Sequence, residues 1–305
     1  MKKINAKTLC TSVLLCTSVI FCACDKETKI EPKNYGEKLA CVYEPKPFSI
    51  GLDKQVYFSQ GNLQYQASTN IWRFAENQYD IIGNDNENIS SSYSGWIDLF
   101  GWATSGWNSG AKTYMPYSTD SCSLNYNPGE ASEYDFDLTG DKLFCDWGAY
   151  NKISNGGNTA NTWRTLTKDE WAYILTERPR CTELFSAGKI GGMNGLILLP
   201  DEWIQPESIP FIADTTLWEA NDYTFAEWAE MEANGAVFLP AAGLREGTST
   251  QQSAWNEGLY WSSSASTEER AWHLHFYQLG TVCWDHPRAI GHSVRLVQDV
   301  SPSTN

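Results

Sequence analysis

The chain has 305 residues, of which 37 are Asp or Glu and 22 are Lys or Arg, giving a formal net charge of −15 at pH 7. This negative balance argues against binding to nucleic acid and against adsorption to anionic lipid. Fourteen Trp, fifteen Tyr and twelve Phe residues supply enough apolar surface to exclude an intrinsically disordered chain.

The N-terminus is typical of a bacterial lipoprotein. Residues 1–23 form a secretory signal, with lysines at its start and an apolar run at 9–21 that is too short to span a bilayer. Cys24 follows a small residue, so we expect Cys24 to carry the lipid that anchors the chain in the membrane. Cys22 is the alternative attachment site, and an ordinary signal with an incidental cysteine is the other interpretation. Residues 24–47 are polar and predict a flexible tether.

The cysteines in the rest of the chain indicate no disulfide framework. Five thiols cannot all pair within one chain, and their spacing matches no zinc motif. One or two disulfides would suit an oxidising envelope, but the spacing assigns no pairing. The cysteines are Cys41, Cys122, Cys145, Cys181 and Cys283.

Short strands open the folded part, which we place at residues 48–300. Turn residues separate strand-like runs at 55–58, 62–65 and 71–74, which favours an antiparallel meander. Residues 80–160 are rich in Gly, Ser, Asn and aromatic residues without a sustained period. We expect a long ordered loop insertion there, held by buried rings. Stacking of its tryptophans on sugars is the alternative.

Two predicted helices carry capping boxes. Thr167 and Thr224 are each followed three residues later by a glutamate, which predicts a helix start at both threonines. Apolar runs at 195–200 and 235–240 follow the helices and indicate buried strands. The predicted fold class is α+β, with two helices packed on twisted antiparallel sheets and long loop insertions.

All four histidines lie between residues 273 and 292, among aromatic residues and small polar spacers. Alternation along a strand at 271–276 puts His273 and His275 on one face and Leu274 and Phe276 on the other. The apolar pair suits a core, so we expect the histidines to face solvent. Rings with small spacers are typical of contact surfaces. The predicted ligand-binding residues are His273, His275, Tyr277, Trp284, Asp285, His286 and His292.

Several motifs carry a family resemblance. Residues 163–173 resemble the helix start of the formylglycine-generating-enzyme family, although Thr165-Leu166-Thr167 stands where that family has Leu-Pro-Thr. With the later runs at 238–245, 260–263 and 291–296, the chain is similar to the bacterial major paralogous domain group first named from Fibrobacter succinogenes. The resemblance spans residues 48–298. It implies a C-type lectin-like fold whose C-terminal loops contact a ligand.

The same resemblance raises an enzymatic alternative, because the oxidase members hold copper with two nearby cysteines in the C-terminal part. Cys283 is the one cysteine in that part, and its neighbours Val282 and Trp284 supply no second thiol. The serines at 262–264 lack a nucleophile elbow. We therefore predict that the protein is not an enzyme.

Spacing of potential metal ligands gives a negative prediction. His273 and His275 have the spacing of a metal site on a strand, because both rings project from one face. No further ligand lies at a diagnostic interval, so no metal site is predicted. No cofactor is expected, although plentiful carboxylate oxygens leave room for a structural calcium ion.

A further pattern suggests programmed variation. Lectin-fold proteins of the kind this chain resembles include targets of diversity-generating retroelements, whose adenine-directed mutagenesis converts Asn codons into a limited set of others. No Asn occurs from 258 to 304. Residues of the permitted set alternate there with framework residues. They are His273, His275, Tyr277, Leu279, Gly280, Cys283, Asp285, His286, Pro287, Ala289, Ile290 and His292.

Together these patterns predict a protein of the outer membrane or cell surface, attached to the membrane through its N-terminal lipid. Its partner is predicted to be a protein or glycan ligand, bound by the C-terminal part of the domain. The alternative is a structural or adhesive subunit of a surface fibre.

Overall fold

A computed structural model describes residues 33–38, 43–129, 136–251 and 256–301. The predicted signal at 1–23, the lipid site Cys24 and parts of the predicted tether lie outside these residues. Two described residues of the predicted tether contact the folded body. The Tyr43 hydroxyl donates to the Phe58 carbonyl over 3.2 Å, and the Lys38 ammonium lies 2.6 Å from the Asp80 carboxylate. Contacts of the body therefore begin ahead of residue 48.

Strands dominate the described part of the chain, where fifteen of them form five small sheets. All strand pairs are antiparallel except β6 with β8. In chain order the strands are β1 (Phe48–Gly51), β2 (Lys54–Phe58), β3 (Leu63–Gln66), β4 (Ile71–Phe74), β5 (Arg164–Thr165), β6 (Phe185–Ile190), β7 (Met193–Leu198), β8 (Asp222–Tyr223), β9 (Val237–Pro240), β10 (Leu244–Glu246), β11 (Ser249–Gln251), β12 (Glu257–Ala265), β13 (Arg270–Tyr277), β14 (Gly280–Pro287) and β15 (Leu296–Asp299).

Helices are short. The described α-helices are α1 (Trp147–Tyr150), α2 (Lys168–Ala172) and α3 (Phe225–Ala233), and α2 continues into a π-helical turn at Tyr173–Glu177. Single 3₁₀ turns lie at Gly83–Asn88, Lys112–Tyr114, Ser123–Tyr126, Gly140–Cys145, Cys181–Glu183 and Trp218–Asn221.

The predicted α+β class, with two helices packed on twisted sheets in a C-type lectin-like arrangement, is wrong. The described residues are 31% strand and 19% helix, their sheets are small and almost entirely antiparallel, and no helical layer packs on a sheet among them. Both capping boxes do form, with Thr167 and Thr224 each accepting from the backbone N–H of the glutamate three residues later. A capping box fixes where a helix begins and not how long it runs. α2 is regular for only five residues, and Asn234 with Gly235 ends α3 after nine.

The strand predictions fare better than the class. The run at 71–74 coincides with β4, and the runs at 55–58, 195–200 and 235–240 fall on β2, β7 and β9. The residues of β9 are all buried, and so are the last four of β7. Continuous apolar runs of this length indicated buried strands correctly.

The loop insertion at 80–160 is anchored by its aromatic rings, as predicted. It contains no strand among its described residues, and besides the short helix α1 its turns are 3₁₀ or irregular. Phe100, Trp102 and Trp147 are fully buried in one cluster with Trp261 from the C-terminal part. The Trp102 indole N–H donates to the Ser262 carbonyl over 2.9 Å. Trp102 and Trp147 therefore anchor the insertion against the sheet formed by β12, β13 and β14.

The capping box of α3 provides a test of the fold. Replacing Thr224 with Ala removes the acceptor for the Glu227 backbone N–H, and we expect a loss of about 1 kcal/mol of unfolding free energy. Urea unfolding followed by circular dichroism measures the loss. Thr216→Ala, at an exposed position, is the matched control and should change stability by less than about 0.5 kcal/mol. Equal effects of the two substitutions would contradict the capping role.

Candidate functional site

The register of the β12–β13–β14 sheet decides which C-terminal side chains share a face. In an antiparallel pair, residues directly opposite each other project to the same side. Trp261 lies opposite His273, which lies opposite Trp284. One row along, Leu259, His275 and Val282 face each other in the same way. The predicted alternation along β13 is therefore correct. We call this side of the sheet the histidine face.

Exposure on the histidine face rises from β12 to β14, because the segment after β14 bridges to β12 at Ser293, whereas β14 is an uncovered outer strand among the described residues. Leu259 and Trp261 on β12 are buried, whereas Trp284 is 58% exposed and Val282 is 38% exposed on β14. Large apolar side chains on the surface become informative when they are contiguous. The accessible part, which we call the exposed strip, consists of His275, Tyr277, Val282, Trp284 and His286.

All four histidines of the chain meet on the histidine face in one cluster. The His273 ring centroid lies 4.8 Å from that of His292, 5.6 Å from that of His286 and 5.7 Å from that of His275. His286 Nδ1 and His292 Nε2 are 2.8 Å apart and share a hydrogen bond. His275 Nε2 lies 3.1 Å from the Glu257 carboxylate. The sequence placed these rings in one region, and the fold brings them into contact.

His292 joins the cluster from the irregular segment that follows β14. Its backbone pairs with that of Phe100, and its ring stacks on Trp261 with centroids 4.0 Å apart. The preceding Gly291 pairs with Arg245, and a Cβ at this glycine would lie 3.0 Å from the Leu99 carbonyl oxygen. Only a residue without a side chain fits such a close approach without displacing its neighbours. Gly291 thus helps to set the position of His292.

The interior of the cluster is electrically neutral at neutral pH. Burial lowers the pKa of His273 and of His292 well below the ordinary value for histidine, and the neighbouring imidazoles lower both further. Burial also lowers the pKa of His286, assisted by the Arg270 guanidinium. A desolvated imidazole resists protonation because the interior solvates the charged form poorly.

Three ring nitrogens in the cluster have no hydrogen-bond partner. Neither nitrogen of His273 has a hydrogen bond, and neither does His292 Nδ1, although all three are buried. A buried polar atom without a partner costs about 1–3 kcal/mol. Among the described residues, no group of three or more His, Cys, Asp or Glu side chains is arranged to hold a metal ion. The cluster is therefore a set of imidazoles in mutual contact.

The structure separates the predicted ligand residues into three groups. His275, Tyr277, Trp284 and His286 lie on the exposed strip. His273 and His292 are 2% and 0% exposed, so the prediction that they face solvent is wrong. Alternation gives the face of a strand but not whether another segment covers it, and here Trp261 and the segment that carries His292 cover the face.

Asp285 lies on the opposite side of the sheet from the exposed strip. Its carboxylate accepts from Arg270 Nε over 3.0 Å and from the Ser266 hydroxyl over 2.6 Å. Those two bonds outweigh the effect of burial and lower the pKa of Asp285. Asp285 therefore ties β14 to β13 and does not share a face with Trp284.

Cys283 also points away from the exposed strip. It lies opposite Leu274, packs against the core, and its thiol approaches the Lys168 carbonyl oxygen at 3.8 Å. Burial raises the pKa of this thiol to about 11. All four cysteines of the described residues are free thiols, whereas Cys41 lies outside the described part.

Two members of the site were not predicted from the sequence. Val282 extends the apolar part of the exposed strip, and Glu257 pairs with His275 from β12. The signal for Val282 was its spacing of two residues from Trp284 on a strand, which puts both on one face. Glu257 depends on the register of β12 against β13, which the sequence does not reveal.

The exposed strip is a surface and not a pocket. The cleft that adjoins Tyr277 and Gly280 has a volume of about 140 Å³ and is lined on its far side by Asp214 and Thr215. Pockets for small molecules usually span roughly 300–1,000 Å³. The geometry suits a partner that covers the strip from outside better than a small molecule that it encloses.

Comparisons with known proteins add no relative. No family model matches the chain, and neither a curated protein nor a solved structure does. The described residues include no helix long and apolar enough to cross a membrane.

The buried imidazoles predict that stability depends on pH. The unfolded chain takes up protons at His273 and His292 below about pH 6.5, whereas the folded chain resists them, so unfolding is favoured as pH falls. The free energy of unfolding should be highest above that pH and should fall below it, by up to about 1.4 kcal/mol per pH unit for each buried ring.

Urea unfolding between about pH 7.5 and about pH 5.5 measures this slope. His273→Phe removes one site of proton uptake, so the stability lost between these two pH values should be smaller by about 1.4 kcal/mol. Ile204→Ala, at a 79% exposed position outside the cluster, should leave the slope unchanged. A wild-type stability that is flat across this range would contradict the burial of the two rings.

Proposed function

We propose that this chain is a lipid-anchored protein of the outer membrane or cell surface that binds a protein or glycan through the exposed strip, without catalysis. Cys24 carries the lipid, and residues between it and the folded body provide the tether. The exposed strip replaces the larger set of contact residues that the sequence suggested, because His273, His292 and Asp285 support it from behind or lie elsewhere.

The single observation that carries the proposal is Trp284. It is 58% exposed in a described chain whose other tryptophans are mostly packed inside. Tryptophan and tyrosine are enriched among residues that dominate binding energy at interfaces. Val282 lies in the next row of the same face, opposite His275, and Tyr277 lies one row further and stacks on His275. Trp284 and Val282 thus form an exposed apolar pair bordered by imidazoles and a tyrosine. Such a combination of aromatic and polar groups suits recognition.

The strip is held in a fixed geometry before any partner binds. β13 and β14 pair over eight consecutive residues without a register shift. On the other face, Leu274 and Phe276 are buried in the main core. A surface on a rigid hairpin loses little conformational entropy on binding, which favours affinity.

The chemistry of the strip supports binding over catalysis. His275 with Glu257 is the one imidazole–carboxylate pair among the described residues, and no serine or cysteine shares it. The Ser262 hydroxyl donates to the Trp272 carbonyl, and the Cys283 thiol lies on the opposite face. The oxidase alternative therefore has no support from this arrangement of side chains.

Programmed variation of the C-terminal part stays a prediction. Leu279 is 83% exposed at the tip of the β13–β14 hairpin, and His275, Tyr277 and His286 are accessible. His273, Ala289 and His292 are buried, so variation at those three positions would alter the interior. A near-copy of the 3′ end of the gene beside a reverse transcriptase, differing at adenines, would establish the mechanism, and its absence would end the idea.

A structural role in a surface fibre has one observation in its favour. β14 is an outer strand of eight residues, and it bears Val282 and Trp284 on one side. Open edges of sheets can pair with a strand of another chain. Size-exclusion chromatography of the soluble domain distinguishes the two functions, because the fibre role predicts self-association and the ligand-binding role predicts a monomer.

Truncation of Trp284 tests the binding function. On an array of immobilised glycans and cell-surface proteins, the purified domain should bind at least one component. Trp284→Ala should weaken that binding by about thirtyfold, since loss of a central interface tryptophan costs about 2 kcal/mol or more. The stability of the variant should stay within about 0.5 kcal/mol of the wild type.

Ile204→Ala is the matched control, because Ile204 is an apolar residue at 79% exposure and follows Trp203, which packs in a core cluster without any residue of the β12–β13–β14 sheet. Binding that survives Trp284→Ala, or that falls equally with Ile204→Ala, would refute the proposed surface.

Lipid attachment has its own test. In a Gram-negative host fed labelled palmitate, the full-length chain should incorporate the label and fractionate with membranes. Cys24→Ser should abolish both the labelling and the membrane fractionation, because the cysteine sulfur is the atom that accepts the lipid. Cys22→Ser should retain both. If Cys22→Ser loses the label instead, the attachment site is Cys22. If the full-length wild-type chain takes up no label, the lipid anchor is disproved.

A further inference from the structure

His286 connects the exposed strip to the buried part of the histidine cluster. Its ring is partly exposed on β14, yet it stacks against that of His292 with centroids 5.0 Å apart and planes 18° apart. Nδ1 of His286 meets Nε2 of His292 at 2.8 Å. Behind these rings lie His273 and Trp261, both buried. His286 therefore covers the interior of the cluster.

The bond between His286 and His292 depends on proton count. A neutral imidazole has one N–H donor and one acceptor nitrogen, whereas a protonated imidazole has two donors and no acceptor. One of the two facing nitrogens must accept, so at least one ring has to be neutral. When both rings carry a proton at every nitrogen, two N–H groups point at each other and the contact becomes repulsive.

Few charges near the cluster can compensate for added protons. Glu257 of β12 is bonded to His275, and Asp285 of β14 is bonded to Arg270 of β13 and to Ser266. Arg270 itself disfavours a positive charge on His286. The segment after β14 contributes Arg288, a cation that lies over Trp102, besides His292. The groups that act on His292 are the other three imidazoles.

Positive charge therefore accumulates in the cluster as the pH falls. Like charges held about 5 Å apart in a poorly solvated site repel one another strongly. His286 is the ring that can escape, because it is partly exposed on an outer strand. His292 cannot, since Phe100 pairs with its backbone and Trp261 stacks on its ring.

We propose that the His286–His292 contact is an acid-sensitive closure of the exposed strip. At neutral pH the contact holds and the strip has the described geometry. In mild acid His286 leaves His292, the strip changes shape beside Trp284, and the Trp261 side of the cluster opens to water while the rest of the domain stays folded. The inference rests on the proposed function only in treating the strip as the ligand surface.

Hydroxyl-radical footprinting of the ligand-free domain tests this opening. Trp261 should be protected at about pH 7.5 and should be oxidised about tenfold faster at about pH 5, as expected for a local opening. Trp228, buried in a separate core cluster, is the internal reference and should stay protected at both values. A parallel rise at Trp228 would mean global unfolding and would overturn the proposal.

Two variants assign the effect to His286. His286→Asn keeps a hydrogen-bonding group near His292 but does not titrate, so Trp261 should gain less than about twofold in acid. His275→Gln removes an imidazole that is not bonded to His292, so the acid-induced rise should persist. A full rise in His286→Asn, or unchanged protection of Trp261 in the wild type, would overturn the proposal.

Protection of Trp228 at neutral pH shows that each variant is folded, and His286→Gln replaces His286→Asn if the latter fails that check. The footprint contains no ligand, so its result is independent of the array. Loss of the proposed function would leave the opening intact, and loss of the opening would leave binding at neutral pH intact.

Discussion

Buried guanidinium groups that donate to backbone carbonyls hold this domain together. A chain of short strands and irregular segments leaves many carbonyls without a partner in a sheet or helix, and such groups are costly when buried. Arg178 donates to the carbonyls of Ile174, Leu199 and Leu184 over 2.8–3.1 Å, and Arg245 donates to those of Leu99 and Ser118 over 3.2–3.3 Å. Burial lowers the pKa of both arginines to about 10, and they remain charged at neutral pH. Each guanidinium joins segments that are distant in sequence.

The same device supports the candidate site. Arg245 pairs through its backbone with Gly291, next to His292, and Arg288 donates to the carbonyl of Arg270 at the start of β13. Arg288 also lies 4.4 Å above the Trp102 ring, which anchors the loop insertion. The irregular segment that carries His292 is thus fixed at both ends by arginines, and this explains how a ring outside any strand is presented against Trp261. The apolar and imidazole character of the histidine face depends on cations that never reach its surface.

Local patterns in the sequence predicted local structure well. The capping boxes at Thr167 and Thr224, the alternation along β13 and the anchoring role of Trp102 follow from the chemistry of adjacent residues. Alternation along β14 also places Asp285 and Trp284 on different faces of the sheet, although the contact surface predicted from composition included both. The fold class failed because a cap does not set helix length. The burial of His273 and His292 could not be predicted, because it depends on two segments outside the strand. These segments are the loop insertion and the segment after β14, and both cover the sheet.

The position of β15 has a consequence for the order of events during synthesis. β15 lies between β2 and β5, with Val297 opposite both Phe58 and Arg164. This four-stranded sheet stays divided until Leu296–Asp299 has been made, so β2 waits for its second partner more than two hundred residues downstream. Contacts of such long range slow folding. Completion of this sheet is therefore among the last steps open to the growing chain.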